Sequence, residues 1–147
     1  MNNLPKKIPI FPLRGVIFFP ETNLPLNIFE DRYLKMINNI LKNDKYLGMI
    51  QSKKIDGEVY QIGCLGKIDE HDRTSDGRIL INLKGITRFK INQEIENNQP
   101  YREFLVNYDL FKDDLQSFTL LRFLIPELSD SKSPIMIIDP DIFAIKN

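Results

Sequence analysis

The chain has 147 residues, a length typical of one domain with its own hydrophobic core. Its residues are 42% hydrophobic and 27% charged, which is ordinary for a soluble globular domain and argues against wholesale disorder. Lys plus Arg and Asp plus Glu balance at 20 each, so the chain lacks the overall field that drives general nucleic-acid binding.

The sequence contains no long apolar segment. No run approaches the roughly 18 residues of a membrane span, and MNNLPKK leads into no apolar region with a small-residue cleavage site. We therefore expect a cytoplasmic location and no membrane partner. The single cysteine, Cys64, cannot form an intrachain disulfide. Its apolar surroundings, IGCLGKI, predict a small buried side chain rather than a reactive thiol.

The first predicted strands lie in a proline-rich apolar stretch, IPIFPLRGVIFFPETNLPLNIFEDRY, at residues 8–33. Proline lacks a backbone N–H and is confined within sheets to edge strands, strand starts and bulges. The prolines of this stretch are Pro9, Pro12, Pro20 and Pro25. We therefore predict short, bent edge strands at 7–13, 16–19 and 26–29.

A helix is predicted next, over residues 30–42. From Phe29 onward, apolar residues recur at three-and-four spacing, which is the pattern of one helical face. Asn27 followed by Glu30 has the spacing of a capping box, and Asn43-Asp44 offers a stop. We expect this helix to cover a sheet.

Further strands follow the helix. Apolar runs, period-two alternation and polar turns predict strands at 46–51, 59–69, 78–91 and 101–108, and the segment EHDRTSDG connects the second and third of them as a hairpin. Gly85 interrupts the third strand where a bulge or a barrel corner would bend it. These elements predict an α+β fold in which an antiparallel sheet curls into a small barrel.

The last third of the chain is less regular. Apolar residues recur at helical spacing over 115–125, and Pro126 should end or kink that helix. The segment PIMII at 134–138 fits either a short strand or a loose tail. We predict a β-barrel domain at 1–112, followed by a short C-terminal helix and tail at 113–147.

No motif for catalysis or cofactor binding emerges. The sequence has neither GxxxxGK[ST] nor GxGxxG, the loops that hold nucleotide phosphates. The only histidine, His71, lies between Glu70 and Asp72 and fits a solvated turn better than a zinc or catalytic site. We expect no catalytic residue, metal or cofactor. Arg32 fits an ion pair or hydrogen bond to the preceding loop better than a ligand contact, and Phe89 should point into the core.

Three blocks together resemble one family: IPIFPLRGVIFFPETNLPLNIFEDRYLKMI at 8–37, YQIGCLGKIDE at 60–70 and DGRILINLKGITRFKI at 76–91. The stretch from residue 8 to about 109 is similar to the Lon substrate-binding domain, the N-terminal region of Lon proteases, which also occurs as a stand-alone bacterial protein and in cereblon. The resemblance implies a PUA-like β-barrel of two small sheets with one helix. It also implies recognition of protein substrates and a role in oligomer assembly.

The resemblance implies a non-catalytic module, because it concerns only the N-terminal domain, whereas the ATPase and the serine-lysine peptidase of Lon proteases lie in later domains. We expect it to bind unfolded or client polypeptides in protein quality control or as an adaptor, with self-association or a protease as further partners. The candidate surface is Leu13, Ile17, Phe18 and Phe19, although both phenylalanines would also fit a buried position. The alternative is a PUA-like RNA-binding module, for which steep salt dependence would be the sign. The ligand site of cereblon does not carry over, because it belongs to a separate zinc-bearing domain.

Overall fold

The structure is a computed structural model in which residues 3–54 and 57–108 are described. The elements are, in chain order, β1 Lys7–Leu13, β2 Asn23–Ile28, α1 Asp31–Leu41, β3 Tyr46–Ser52, β4 Val59–Arg73, β5 Ile79–Ile95 and β6 Glu103–Asn107. In this part of the chain no helix has the length and apolar character needed to cross a membrane. The predicted helix at 115–125, the segment at 134–138 and the boundary at 112 lie outside the described residues.

The strands pair into one sheet of six in the order β2-β5-β4-β3-β1-β6. Because β5 also pairs with β6, the strands other than β2 close a ring, and β2 is attached to it through β5. The prediction of two antiparallel sheets is wrong, since there is one sheet and β1 pairs with β3 in parallel. The physical reason is the connection between them. In the sequence, β2 and α1 come between β1 and β3, and they form the long crossover that a parallel pair requires.

Two hydrophobic cores stabilise the sheet. The first lies under α1, whose buried residues are Tyr33, Met36, Ile37 and Ile40, and it includes Leu47, Met49, Ile79, Ile81 and Leu83 from the strands. The second contains Ile8, Ile10, Ile50, Leu65, Phe89, Phe104 and Val106. Successive residues of β3 enter different cores, because side chains alternate along a strand. The expectation that the helix covers the sheet is confirmed.

Phe89 is the largest fully buried side chain of the second core. A β-carbon at Gly63 would lie 2.5 Å from the Phe89 Cζ, and one at Gly48 would lie 3.0 Å from the same atom. These two glycines therefore leave the space that the phenyl ring fills. The inward orientation predicted for Phe89 is confirmed.

Several predicted boundaries shift. The strand predicted at 16–19 is absent, and 14–22 form a loop instead. The predicted N-cap at Asn27 is also wrong, because this residue lies in β2 opposite Leu80, and α1 begins after Glu30. His71 lies on the exposed part of β4 rather than in the turn. Gly85 does adjoin a register shift between β4 and β5, as its position in the sequence predicts.

Cys64 is buried at 4% exposure, as predicted. Burial raises the pKa of its thiol to about 12, although the nearby Arg88 acts in the opposite direction. Since the thiolate is the reactive form, we expect the folded protein at pH 8 to react with a thiol reagent far more slowly than the unfolded chain. Stopped-flow labelling with and without denaturant measures both rates, and equal rates would contradict the buried position.

Candidate functional site

Residues 14–22 form the loop between β1 and β2, and we call this segment the anchored loop. Its first anchor is the side-chain amide of Gln51 on β3. The Gly15 N–H donates to the Gln51 Oε1 at 3.1 Å, and the Gln51 Nε2 donates to the carbonyl of Val16. One amide group therefore holds both a donor and an acceptor of the loop backbone.

The second anchor is Gly85 on β5. Its N–H donates to the Thr22 carbonyl at 2.8 Å, and its carbonyl accepts from the Glu21 N–H at 3.1 Å. The Thr22 hydroxyl donates to the Phe19 carbonyl at 2.7 Å and closes the turn. A β-carbon at position 85 would overlap the Phe19 carbonyl oxygen. The loop therefore crosses β5 at a point where only glycine leaves enough room.

The predicted surface residues take different positions around this loop. Ile17 is 53% exposed between the two anchors. Leu13 and Phe18 are half-buried against the core under α1, and Phe19 is also half-buried. The structure thus places three of the four residues on one loop and Leu13 at the end of β1 beside it. Neither phenylalanine is fully exposed or fully buried.

The strand predicted at 26–29 corresponds to β2, which begins earlier, at Asn23, and ends at Ile28. β2 is the end strand of the sheet, and no strand of the described residues pairs with its outer edge. Pro25 lies in the middle of β2. Phe29, predicted both as the last residue of that strand and as the first of the helical apolar spacing, comes directly after β2 and is 65% exposed. Alternation with the inward Leu24, Leu26 and Ile28 would have predicted an outward Phe29.

Other candidate residues are placed as follows. Arg32 pairs with Glu30, with Nε and Oε2 3.0 Å apart, so the expected interaction with the preceding loop is confirmed. Its guanidinium also lies 4.6 Å from the centroid of the Tyr33 ring. In residues 3–54 and 57–108, no group of three or more His, Cys, Asp or Glu side chains could hold a metal ion.

The ring of strands, its covering helix and a fixed loop with an exposed apolar residue define a small β-rich domain with a candidate protein-binding surface. Residues 7–139 match the family model described as the ATP-dependent protease La (LON) substrate-binding domain. This match covers most of the chain, and the chain therefore belongs to the Lon substrate-binding domain family. The family resemblance inferred from the sequence blocks is confirmed.

Curated Lon proteases are among the similar proteins. The Lon protease of Flavobacterium johnsoniae is 30% identical over 109 residues, which are 69% of this chain and 13% of that protease. The Lon protease of Elusimicrobium minutum is 32% identical over 104 residues, which are 67% of this chain and 12% of that protease. The chain thus spans about an eighth of the length of these relatives.

Two solved structures share the fold. The crystal structure of a Lon N-terminal domain protein from Xanthomonas campestris superposes with a TM-score of 0.59 at 22% identity, over 82% of this chain and 75% of that one. The N-terminal domain of the Mycobacterium avium complex Lon protease gives 0.58 at 14% identity, over 95% of this chain and 61% of that one. At these identities the similarity concerns the fold alone.

Proposed function

We propose that the chain is a non-catalytic recognition module that engages unfolded or client polypeptides, in protein quality control or as an adaptor to a protease. The observation that carries this proposal is Ile17, 53% exposed on a loop that is hydrogen-bonded at both ends. The family description, a substrate-binding domain of an ATP-dependent protease, favours the same function.

The outer edge of β2, which pairs with no strand among residues 3–54 and 57–108, extends the proposed surface. An extended polypeptide can add a strand to such an edge, so that backbone hydrogen bonds supply affinity and side-chain contacts supply preference. β2 has six residues, which span about 20 Å at the usual rise of a strand. Ile17 precedes this edge and Phe29 follows it, and both offer apolar contacts to the bound chain. Pro25 removes one donor from β2 and disfavours uncontrolled edge-to-edge pairing.

Anchoring of the loop matters for affinity. Binding costs free energy when a loop must become ordered, and a loop that is already held avoids part of that cost. Gln51 and Gly85 hold the two ends of the anchored loop in the unbound protein. We therefore assign the half-buried Leu13, Phe18 and Phe19 to the base of the surface and Ile17 to its contact point.

The proposed function also includes the structural scaffold of the module, its cellular location and its further partners. The ring of strands within residues 1–112 serves as a PUA-like barrel. The module works in the cytoplasm, without a membrane, and its further partners are a second copy of the chain or a protease. A role in RNA binding is the alternative that the experiment must separate.

The first test replaces Ile17 with serine. Burial of an isoleucine side chain contributes about 1.5–3 kcal/mol, so we expect Ile17→Ser to weaken the binding of a fluorescently labelled, permanently unfolded polypeptide by at least tenfold. Fluorescence anisotropy at low and moderate salt measures the dissociation constant. A single-stranded RNA of similar length is titrated in parallel.

The matched control is Leu105→Ser on β6, which changes an apolar residue of 39% exposure outside the proposed surface. We expect this variant to bind the polypeptide as the parent chain does. Equal affinities of the Ile17 variant and the parent would contradict the assigned surface. Binding of RNA alone, with a steep dependence on salt, would replace the proposal with the nucleic-acid alternative.

A further inference from the structure

A cavity of about 240 Å³ opens beside the start of α1. Residues from β1, α1, the connection between β3 and β4, and the segment before β6 line it, among them Pro12, Arg32, Ser52, Gly57 and Arg102. It adjoins the anchored loop along the chain and across the sheet. Pro12 and Ser52 line the cavity; Leu13, which follows Pro12, is the last residue of β1 before that loop, and Gln51, which precedes Ser52, accepts from the Gly15 N–H of the loop.

Arg32 brings unused hydrogen-bond donors to this cavity. Its Nε donates to the Glu30 carboxylate at 3.0 Å, and its guanidinium stacks on the Tyr33 ring. The two terminal nitrogens of Arg32 have no hydrogen-bond partner among the described residues. A guanidinium group presents its terminal N–H donors in a planar fork that matches a carboxylate.

Arg102 supplies a second positive charge in a fixed position. Its Nε and Nη2 donate to the two oxygens of Glu94 at 2.7 and 2.8 Å, and its Nη1 donates to the Gly57 carbonyl at 2.7 Å. Arg102 and Arg32 both lower the pKa of Tyr33, but burial raises that pKa by more. Tyr33, which also lines the cavity, therefore keeps its hydroxyl proton at neutral pH and remains a donor.

The charges that face the cavity favour an anion. Among the described residues, its lining contains two arginines and one acidic side chain, Glu58. The Glu58 carboxylate is itself paired with Lys53 at 3.8 Å. Glu30 and Glu94, which hold the two arginines, are not part of the lining. The described lining thus carries one more positive than negative side chain and is rich in donors, while the carboxylates of Glu30 and Glu94 bind its two guanidinium groups.

From this arrangement we infer that the cavity binds a carboxylate of the client polypeptide, with Arg32 as the direct ligand and Arg102 and Tyr33 beside it. The inference rests on the proposed function, because the client supplies the carboxylate. The loop that carries Ile17 begins directly after β1, and the β1 residues Ile10 and Pro12 line the cavity. The carboxylate belongs either to the C-terminus of the client or to an acidic side chain, and the two sources have the same chemistry.

The test uses the 147-residue chain and three labelled, unstructured peptides, of which the first two have one sequence and the third differs by a single glutamate. The first has a free C-terminal carboxylate, the second has a C-terminal amide, and the third has the amide and one internal glutamate. We expect the free acid to bind about tenfold more tightly than the amide, as charged hydrogen bonds allow. Arg32→Gln should abolish this difference, and Tyr33→Phe, which keeps the ring, should reduce it.

The matched control is Arg78→Gln, because Arg78 forms a similar ion pair with Asp76 at 2.8 Å outside the cavity. This variant should keep the preference for the free acid. Recovery of affinity by the internal glutamate would assign the site to acidic side chains, and no recovery would assign it to the C-terminus. If all three peptides bind equally and Ile17→Ser weakens that binding, the carboxylate site is overturned and the proposed function stands. If none of the three peptides binds, both the carboxylate site and the proposed function are overturned.

Discussion

Replacing Phe89 with alanine is expected to lower the free energy of unfolding by about 3–5 kcal/mol. Phe89 is 0% exposed and lies in the second core with Ile8, Leu65 and Phe104. Gly48 and Gly63 cannot fill the space that the ring leaves, because they have no side chains. Urea unfolding, followed by circular dichroism, measures the change as a shift of the midpoint at an unchanged slope.

The matched control makes the same substitution at Phe29, which is 65% exposed. A surface substitution of this kind usually changes stability by no more than about 0.5 kcal/mol. We therefore expect Phe29→Ala to unfold almost as the parent chain does. A Phe89→Ala protein as stable as the Phe29 variant would show that the second core does not depend on its central ring.

Local sequence patterns predicted much of this fold. Apolar runs, period-two alternation and the three-and-four spacing arise within a single element, so they were sufficient for β1, for the inward position of Phe89 and for the buried face of α1, respectively. The sequence blocks also identified the family. These features depend on residues that are close together along the chain, so a single sequence is enough to predict them.

The features that the sequence did not predict depend on distant residues. The segment at 16–19 has the composition of a strand, but Gln51 and Gly85 from two other strands take the hydrogen bonds of the adjoining backbone. Asn27 has the spacing of a cap, but pairing with Leu80 extends β2 past it. The parallel pairing of β1 with β3 likewise follows from the crossover rather than from either strand.

The candidate site also has a part that local sequence patterns indicated and a part that depends on distant residues. Ile17 was one of four candidates on the proline-rich edge, but side-chain alternation predicted an outward side chain at Phe18 or Phe19, and the structure exposes Ile17 instead. The cavity at Arg32 was not found, because its wall comes from four separate segments whose approach no spacing reveals. Arg32 was correctly paired with the preceding loop, and the structure adds that its terminal nitrogens have no hydrogen-bond partner within the described part of the chain.

The strongest link between fold and proposed function is Gly85, and Gly85→Ala is expected to disturb both. The new methyl group would overlap the Phe19 carbonyl and press on the Pro20 backbone, so the anchored loop must move away from β5. Overpacking of this kind costs roughly 1–3 kcal/mol of folding stability. Loss of this anchor should also weaken binding of the unfolded polypeptide about tenfold, as Ile17→Ser does, because the loop is then no longer held in place.

Gly66→Ala separates the two effects. Gly66 is the register partner of Gly85, and a β-carbon there would meet the side chain of Leu83 rather than the loop backbone. We expect this variant to lose stability while it keeps its affinity for the unfolded polypeptide, measured at a temperature where both variants are folded. If the Gly85 variant binds as tightly as the Gly66 variant, a fixed loop is not required for recognition. If only the Gly85 variant loses affinity, the position of the loop, and not the stability of the sheet, determines binding.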